Sequence, residues 1–103
     1  MGMIPEYQNL HNQIKELRFQ VHDALDDPSH PTARNLHAEM QHLEDELEQG
    51  KNARDIENRV RAIQHGMLEA RSNPNSFMSI PDADHFHRTF EDIRQNIRRF
   101  PNY

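Results

Sequence analysis

Apolar residues in this chain recur at alternating steps of three and four, in four separate stretches. The first is Tyr7, Leu10, Ile14, Leu17, Val21 and Ala24, and the second is Ala33, Leu36, Met40, Leu43 and Leu47. The third is Ala53, Ile56, Val60, Ile63, Met67 and Ala70; the fourth is Ala83, Phe86, Phe90, Ile93, Ile97 and Phe100. A helix turns once in about 3.6 residues, so this spacing draws one narrow apolar seam down each helix. The positions between are almost all polar, which leaves each helix a single face to bury against other helices. Composition matters here because only 34% of the 103 residues are hydrophobic. That is low for a soluble domain, at roughly 45–50% with Gly counted, and could suit a disordered chain. A disordered chain has no reason to hold the same register four times.

The punctuation agrees with four helices over about 5–25, 31–49, 53–71 and 81–100. Pro5 suits a first turn, where its missing N–H is not needed. Pro28 and Pro31 in Asp26-Asp27-Pro28-Ser29-His30-Pro31 end the first helix. Gly50 supplies the left-handed residue on which helices often stop. Asn52 with Asp55, and Ser79 with Asp82, have the spacing of N-terminal caps, Pro81 falls in the fourth helix's first turn, and Pro101 closes it. A continuous rod through helices 2 and 3 would need apolar residues where Gly50, Arg54 and Glu57 stand. The short connections therefore predict an all-α, antiparallel up-down-up-down four-helix bundle, with residues 1–103 as one domain. Because the seams carry close to two apolar positions per heptad, the alternatives are a bundle with one outer helix swung away, or a homodimer of hairpins.

Charge is divided unevenly. Residues 1–50 carry three Lys/Arg against ten Asp/Glu, whereas residues 51–103 carry nine against seven. Acidic and basic faces can meet inside the bundle, or one face can steer a charged protein partner. The overall acidity and the brevity of the Arg94–Arg99 stretch argue against nucleic acid, and no zinc-finger spacing is present. No apolar run approaches the roughly 18 residues of a membrane span, and mixed charge on the polar faces argues against a membrane surface. The N-terminus lacks the pattern of a signal peptide, and Glu6 stands where a myristoylation motif wants Ser or Thr. There is no Cys, which excludes disulfides and thiolate chemistry and fits a cytoplasmic protein.

Eight histidines raise the question of a metal. Glu39-Met40-Gln41-His42 has the Glu-x-x-His spacing of ferritin-like carboxylate bundles, but no second helix carries a matching pair. Hemerythrin-like spacings at His42/Glu46 and His87/Asp92 find only His65 on the third helix. In the expected topology His22, His30, His37, His85 and His87 gather at one end, with His11 at the other. The candidate metal ligands are accordingly Asp82, Asp84, His85 and His87, the alternative being that the acids favour the helix N-terminus and the histidines are solvated.

The longest connection, Ser72 to Pro81, holds Phe77, Met78 and Ile80, which are too apolar for an ordinary surface loop. Either they plug the end of the bundle, or they form an apolar patch for a partner. No nucleophile elbow or phosphate-cradling glycine loop occurs, and no cofactor is expected. The reading is a small helical protein-interaction module, an adaptor, regulator or immunity-type inhibitor, with Phe77, Met78, Ile80, Arg94 and Arg98 as candidate partner-binding residues. A metal-binding or metal-dependent enzymatic bundle is the alternative.

Overall fold

A computed structural model describes residues 2–73 and 76–103, so Pro74 and Asn75 of the long connection lie outside the described residues. A 3-10 turn, Pro5–Tyr7, leads into helices α1 (Gln8–Ala24), α2 (Pro31–Glu48), α3 (Ala53–Ser72) and α4 (Ile80–Ile97). The four form an all-α bundle measuring 41 × 22 × 17 Å. Two expected boundaries shift for local reasons. Pro5 opens a tighter turn before α1, and α4 stops at Ile97 rather than at Phe100. A residue before proline is disfavoured in the helical region, so the helix gives way ahead of Pro101.

The helix ends follow from named side chains. Asn52 Oδ1 accepts from the Asp55 amide at 3.0 Å, and Ser79 Oγ accepts from Asp82 at 3.2 Å. Gly50 takes φ 70°, which brings the Gly50 amide to the Leu47 carbonyl and the Lys51 amide to that of Glu46. Two otherwise orphaned carbonyls are thereby satisfied in one Schellman turn, and α3 is sent back along α2. At the start of α2 the cap is His30, whose Nδ1 accepts from the Thr32 amide at 3.1 Å.

Long-range contacts at the two ends establish the up-down-up-down order. At one end, Leu25 and Met78 pair as an isolated antiparallel bridge, and the Asp26 amide donates to the Phe77 carbonyl at 2.8 Å. At the other, the Tyr7 hydroxyl donates to the Lys51 carbonyl and accepts from Asn102 Nδ2 at 2.9 Å. One side chain thus ties the start of α1 to the α2–α3 turn and the C-terminal tail. Burial pushes the Tyr7 phenol above its ordinary pKa, with the Asn102 bond partly opposing. All four seams converge on one core, and every seam residue except Ala24 and Phe100 is buried. Fully burying a large apolar side chain contributes about 1.5–3 kcal/mol, so a core this economical still holds when nearly every seam residue enters it.

Candidate interaction surface

Between the helices lie charged pairs whose carboxylates are largely withdrawn from solvent. Arg18 of α1 bonds Glu44 of α2 through Nε. Arg59 of α3 reaches both Glu39 and Glu46 of α2, each at 2.7 Å. Across the α3–α4 seam, Glu57 accepts from Arg98 Nε at 2.7 Å and from the Tyr103 hydroxyl at 2.6 Å. Burial pushes the Glu57 carboxyl up, but these two donors outweigh it and leave it below the ordinary range. Gln64, also buried, donates to Glu91 Oε1 at 2.9 Å, and Gln64 and Gln95 together hold the Glu91 carboxyl low. Arg94 completes this network at 3.1 Å from Glu91 and 3.9 Å from Glu57. Acid and base drawn from different helices therefore meet within the bundle and specify which faces pair. Removing one partner of such a pair leaves the other charge uncompensated, the reason such contacts select a pairing even where they add little net stability.

The candidate partner-binding residues separate into three groups. Phe77 and Met78 are buried, at 0% and 1% exposure, so they plug the bundle end and present no patch. The backbone pairing of residues 25–27 with this segment draws both side chains inward, and the His30 ring lies 5.1 Å from that of Phe77. Ile80 does stay exposed, at 40%, on the first turn of α4. Arg94 and Arg98 are committed to Glu91 and Glu57, within the bundle's own network.

The candidate metal ligands do not converge. Asp84 is held by Arg71 at 3.3 Å and Arg88 at 3.0 Å, while Asp82 and His85 face solvent. The His87 carbonyl accepts weakly from Gln64 at 3.4 Å. Among the described residues, no three His, Cys, Asp or Glu side chains stand where they could share an ion. Arg71 of α3 and Arg88 of α4 take up Asp84, while Asp82 and His85 are turned out to solvent. Of the expected histidine cluster, His22 and His37 alone come together as rings, 6.4 Å apart across α1 and α2. His11, at the far end, bonds Glu48 at 3.0 Å.

One concavity escaped the sequence reading. A groove of about 430 Å3 runs between α2 and α3, with Leu36, Ala62 and Gly66 among its lining and Thr32, Asn35, Glu39, His65 and Glu69 around them. Gly66 and Leu36 meet at its floor. An added Cβ at position 66 would fall 2.6 Å from Leu36 Cδ2 and 2.9 Å from Cγ, so the Leu36 side chain packs onto α3 in space that any larger residue would claim. The signal available in the sequence was Gly66 itself. Glycine inside a helix costs roughly 1 kcal/mol relative to alanine, and so calls for a packing or functional reason. Among the described residues Glu69 forms no ion pair, and Glu39 shares its partner Arg59 with Glu46.

The class of protein defined here is an antiparallel four-helix bundle stapled by interhelical ion pairs, with an apolar-floored groove edged by Glu69 on one side. No family model matches the chain, and no curated protein or solved structure matches it. Among the described residues no helix is long and apolar enough to cross a membrane.

Proposed function

We propose that this protein is a small cytoplasmic interaction module, an adaptor or inhibitor, that acts by binding another protein and performs no chemistry of its own. The observation that carries this reading is the α2–α3 groove. An apolar floor edged by Glu69, which forms no ion pair among the described residues, suits a partner helix or peptide that inserts one apolar side chain and sets a Lys or Arg beside it. The surplus of acid in residues 1–50 would favour approach of such a basic segment. Support for a binding rather than catalytic role comes from Glu39, Glu44, Glu46, Glu57 and Glu91, carboxylates capable of acid–base chemistry that are tied to arginines of the bundle.

The test is selection from a display library of amphipathic peptides, with binding mapped by amide chemical shifts of the labelled protein. Selected peptides should carry a basic residue three or four positions from an apolar anchor and should shift Leu36, Ala62, His65 and Gly66. Glu69→Lys should weaken them at least about tenfold, the effect of roughly 1.4 kcal/mol. Peptides that map to another face, or that bind Glu69→Lys equally well, refute the proposal.

A further inference from the structure

On α3 and α4 the core seam is shadowed, one position later along the chain, by a second stripe with the same alternation of three and four. On α3 it reads Arg54, Glu57, Arg61, Gln64, Leu68 and Arg71, and on α4 and its cap Ile80, Asp84, His87, Glu91, Arg94 and Arg98. One residue is about 100° of a helix, so each stripe lies on a flank of its seam. Antiparallel packing lays the two side by side, through Glu57–Arg98, Gln64–Glu91 and Arg71–Asp84. Arg88, 3.0 Å from Asp84, and Tyr103, bonded to Glu57, complete this face.

The face inverts the charge of the protein. It carries Arg54, Arg61, Arg71, Arg88, Arg94 and Arg98, half of the chain's twelve Lys/Arg, but only Glu57, Asp84 and Glu91 of its seventeen Asp/Glu. A chain of net charge −5 therefore has one side with a positive surplus. Each of the three carboxylates is already held by an arginine, Asp84 by two, while Arg54 and Arg61 form no ion pair among the described residues. Neighbouring acids turn elsewhere. Asp55 and Glu69 line grooves between α2 and α3, and Asp92, one turn before Asn96 of a groove between α1 and α4, follows the α1 flank. Apolar side chains collect on this face as well. Of the four large ones that stay exposed among the described residues, Leu68, Ile80 and Tyr103 lie here, at 37–40% exposure. Counted from the Arg71–Asp84 pair at about 1.5 Å per residue, Leu68 and Ile80 stand about 10 Å apart along the bundle, the length of about seven helical residues.

From these observations we infer that the α3–α4 face is a docking surface for an acidic amphipathic helix of a partner protein. Such a helix lays apolar residues seven positions apart on Leu68 and Ile80 and sets Glu or Asp against the surplus arginines. Guanidinium groups suit this task, because their five donors can serve an internal carboxylate and an external one together. A nucleic acid would bring a uniformly anionic backbone against Asp84 and Glu91, which are partly exposed, and would gain little from aliphatic Leu68 and Ile80. The occupant is opposite in charge to the basic segment assigned to the α2–α3 groove and meets the other flank of α3, so either proposal can fail without the other.

Fluorescence anisotropy with a labelled helical peptide tests it. The peptide is about seventeen residues long, matching the roughly 25 Å from Arg54 to Arg71, with two Leu seven positions apart and Glu flanking them. It should bind the full chain with a Kd below about 100 μM at low salt, and at least about tenfold more weakly in about 0.5 M salt. A peptide with Gln for both Leu should also bind at least about tenfold more weakly. In the protein, Arg61→Gln/Leu68→Gln/Ile80→Gln should raise the Kd more than about tenfold, whereas Glu69→Lys in the α2–α3 groove should leave it within about threefold. All three substituted residues are exposed, and far-ultraviolet circular dichroism should show the variant as helical as the wild type. Absence of binding at about 1 mM peptide overturns the inference, as does undiminished binding by the triple variant or by the Gln-for-Leu peptide. Tighter binding of a duplex oligonucleotide or of phosphatidylserine vesicles, lost in the same variant, overturns it in favour of that partner.

Discussion

Substituting alanine at Gly66 sets two effects of similar size against each other, and the structure separates them. Alanine in place of a helical glycine gains about 1 kcal/mol of helix propensity. Its methyl carbon, however, would lie 2.6 Å from Leu36 Cδ2 and 2.9 Å from Leu36 Cγ. Carbon atoms in contact prefer about 3.5–4.0 Å, so the pair must separate by roughly 1 Å. Cδ2 could swing aside, but Cγ lies close to the α2 backbone and Leu36 is only 2% exposed. Overpacking of this kind costs about 1–3 kcal/mol. Gly66→Ala alone should therefore be neutral to about 2 kcal/mol destabilising. The decisive measurement is a double-mutant cycle in urea. Leu36→Ala by itself should cost about 2–5 kcal/mol. In that background the obstructing atoms are gone, and Gly66→Ala should stabilise by about 1 kcal/mol, giving a coupling of at least 1 kcal/mol. If Gly66→Ala has the same effect in both backgrounds, within about 0.5 kcal/mol, the packing of Leu36 against Gly66 is refuted.

Two further outcomes rest on burial and charge. Phe77→Ala should cost about 3–5 kcal/mol, at about 4–8 °C of Tm per kcal/mol, whereas Phe19→Ala, at a residue 56% exposed, should stay within about 0.5 kcal/mol. Comparable losses at the two phenylalanines would contradict the plug. On the acid side, Glu57 and Glu91 have folded pKa values below their ordinary 4.5. The unfolded chain then binds more protons than the folded one, so their contribution is present above about 4.5 and is lost as pH falls through the folded values. Glu57→Gln should make the acid limb of the Tm–pH curve shallower, and an unchanged limb would count against the Glu57–Arg98–Tyr103 network.

Four helices, their bounds to within a few residues, and their antiparallel order were all legible in the sequence. These properties are local or periodic: a cap lies three residues from the amide it accepts, and the 3.6-residue turn puts a seam on one face whatever the seam meets. Tyr7, Leu43 and Phe90 could be assigned to the core from spacing alone, and Gly50 to a helix stop. Which acid meets which base depends instead on rotation and offset between helices, and spacing along one helix says nothing of either. The burial of Glu57 and Gln64 on α3, the occupation of Arg94 and Arg98, and the neutralisation of Asp84 by Arg71 and Arg88 followed only from that packing. The α2–α3 groove has the same origin, because Gly66 and Leu36 are thirty positions apart and meet only once their helices are brought together. Periodicity along the chain thus determined that this protein is a bundle. The tertiary structure decided which polar residues the bundle consumes and which faces it leaves to meet something else.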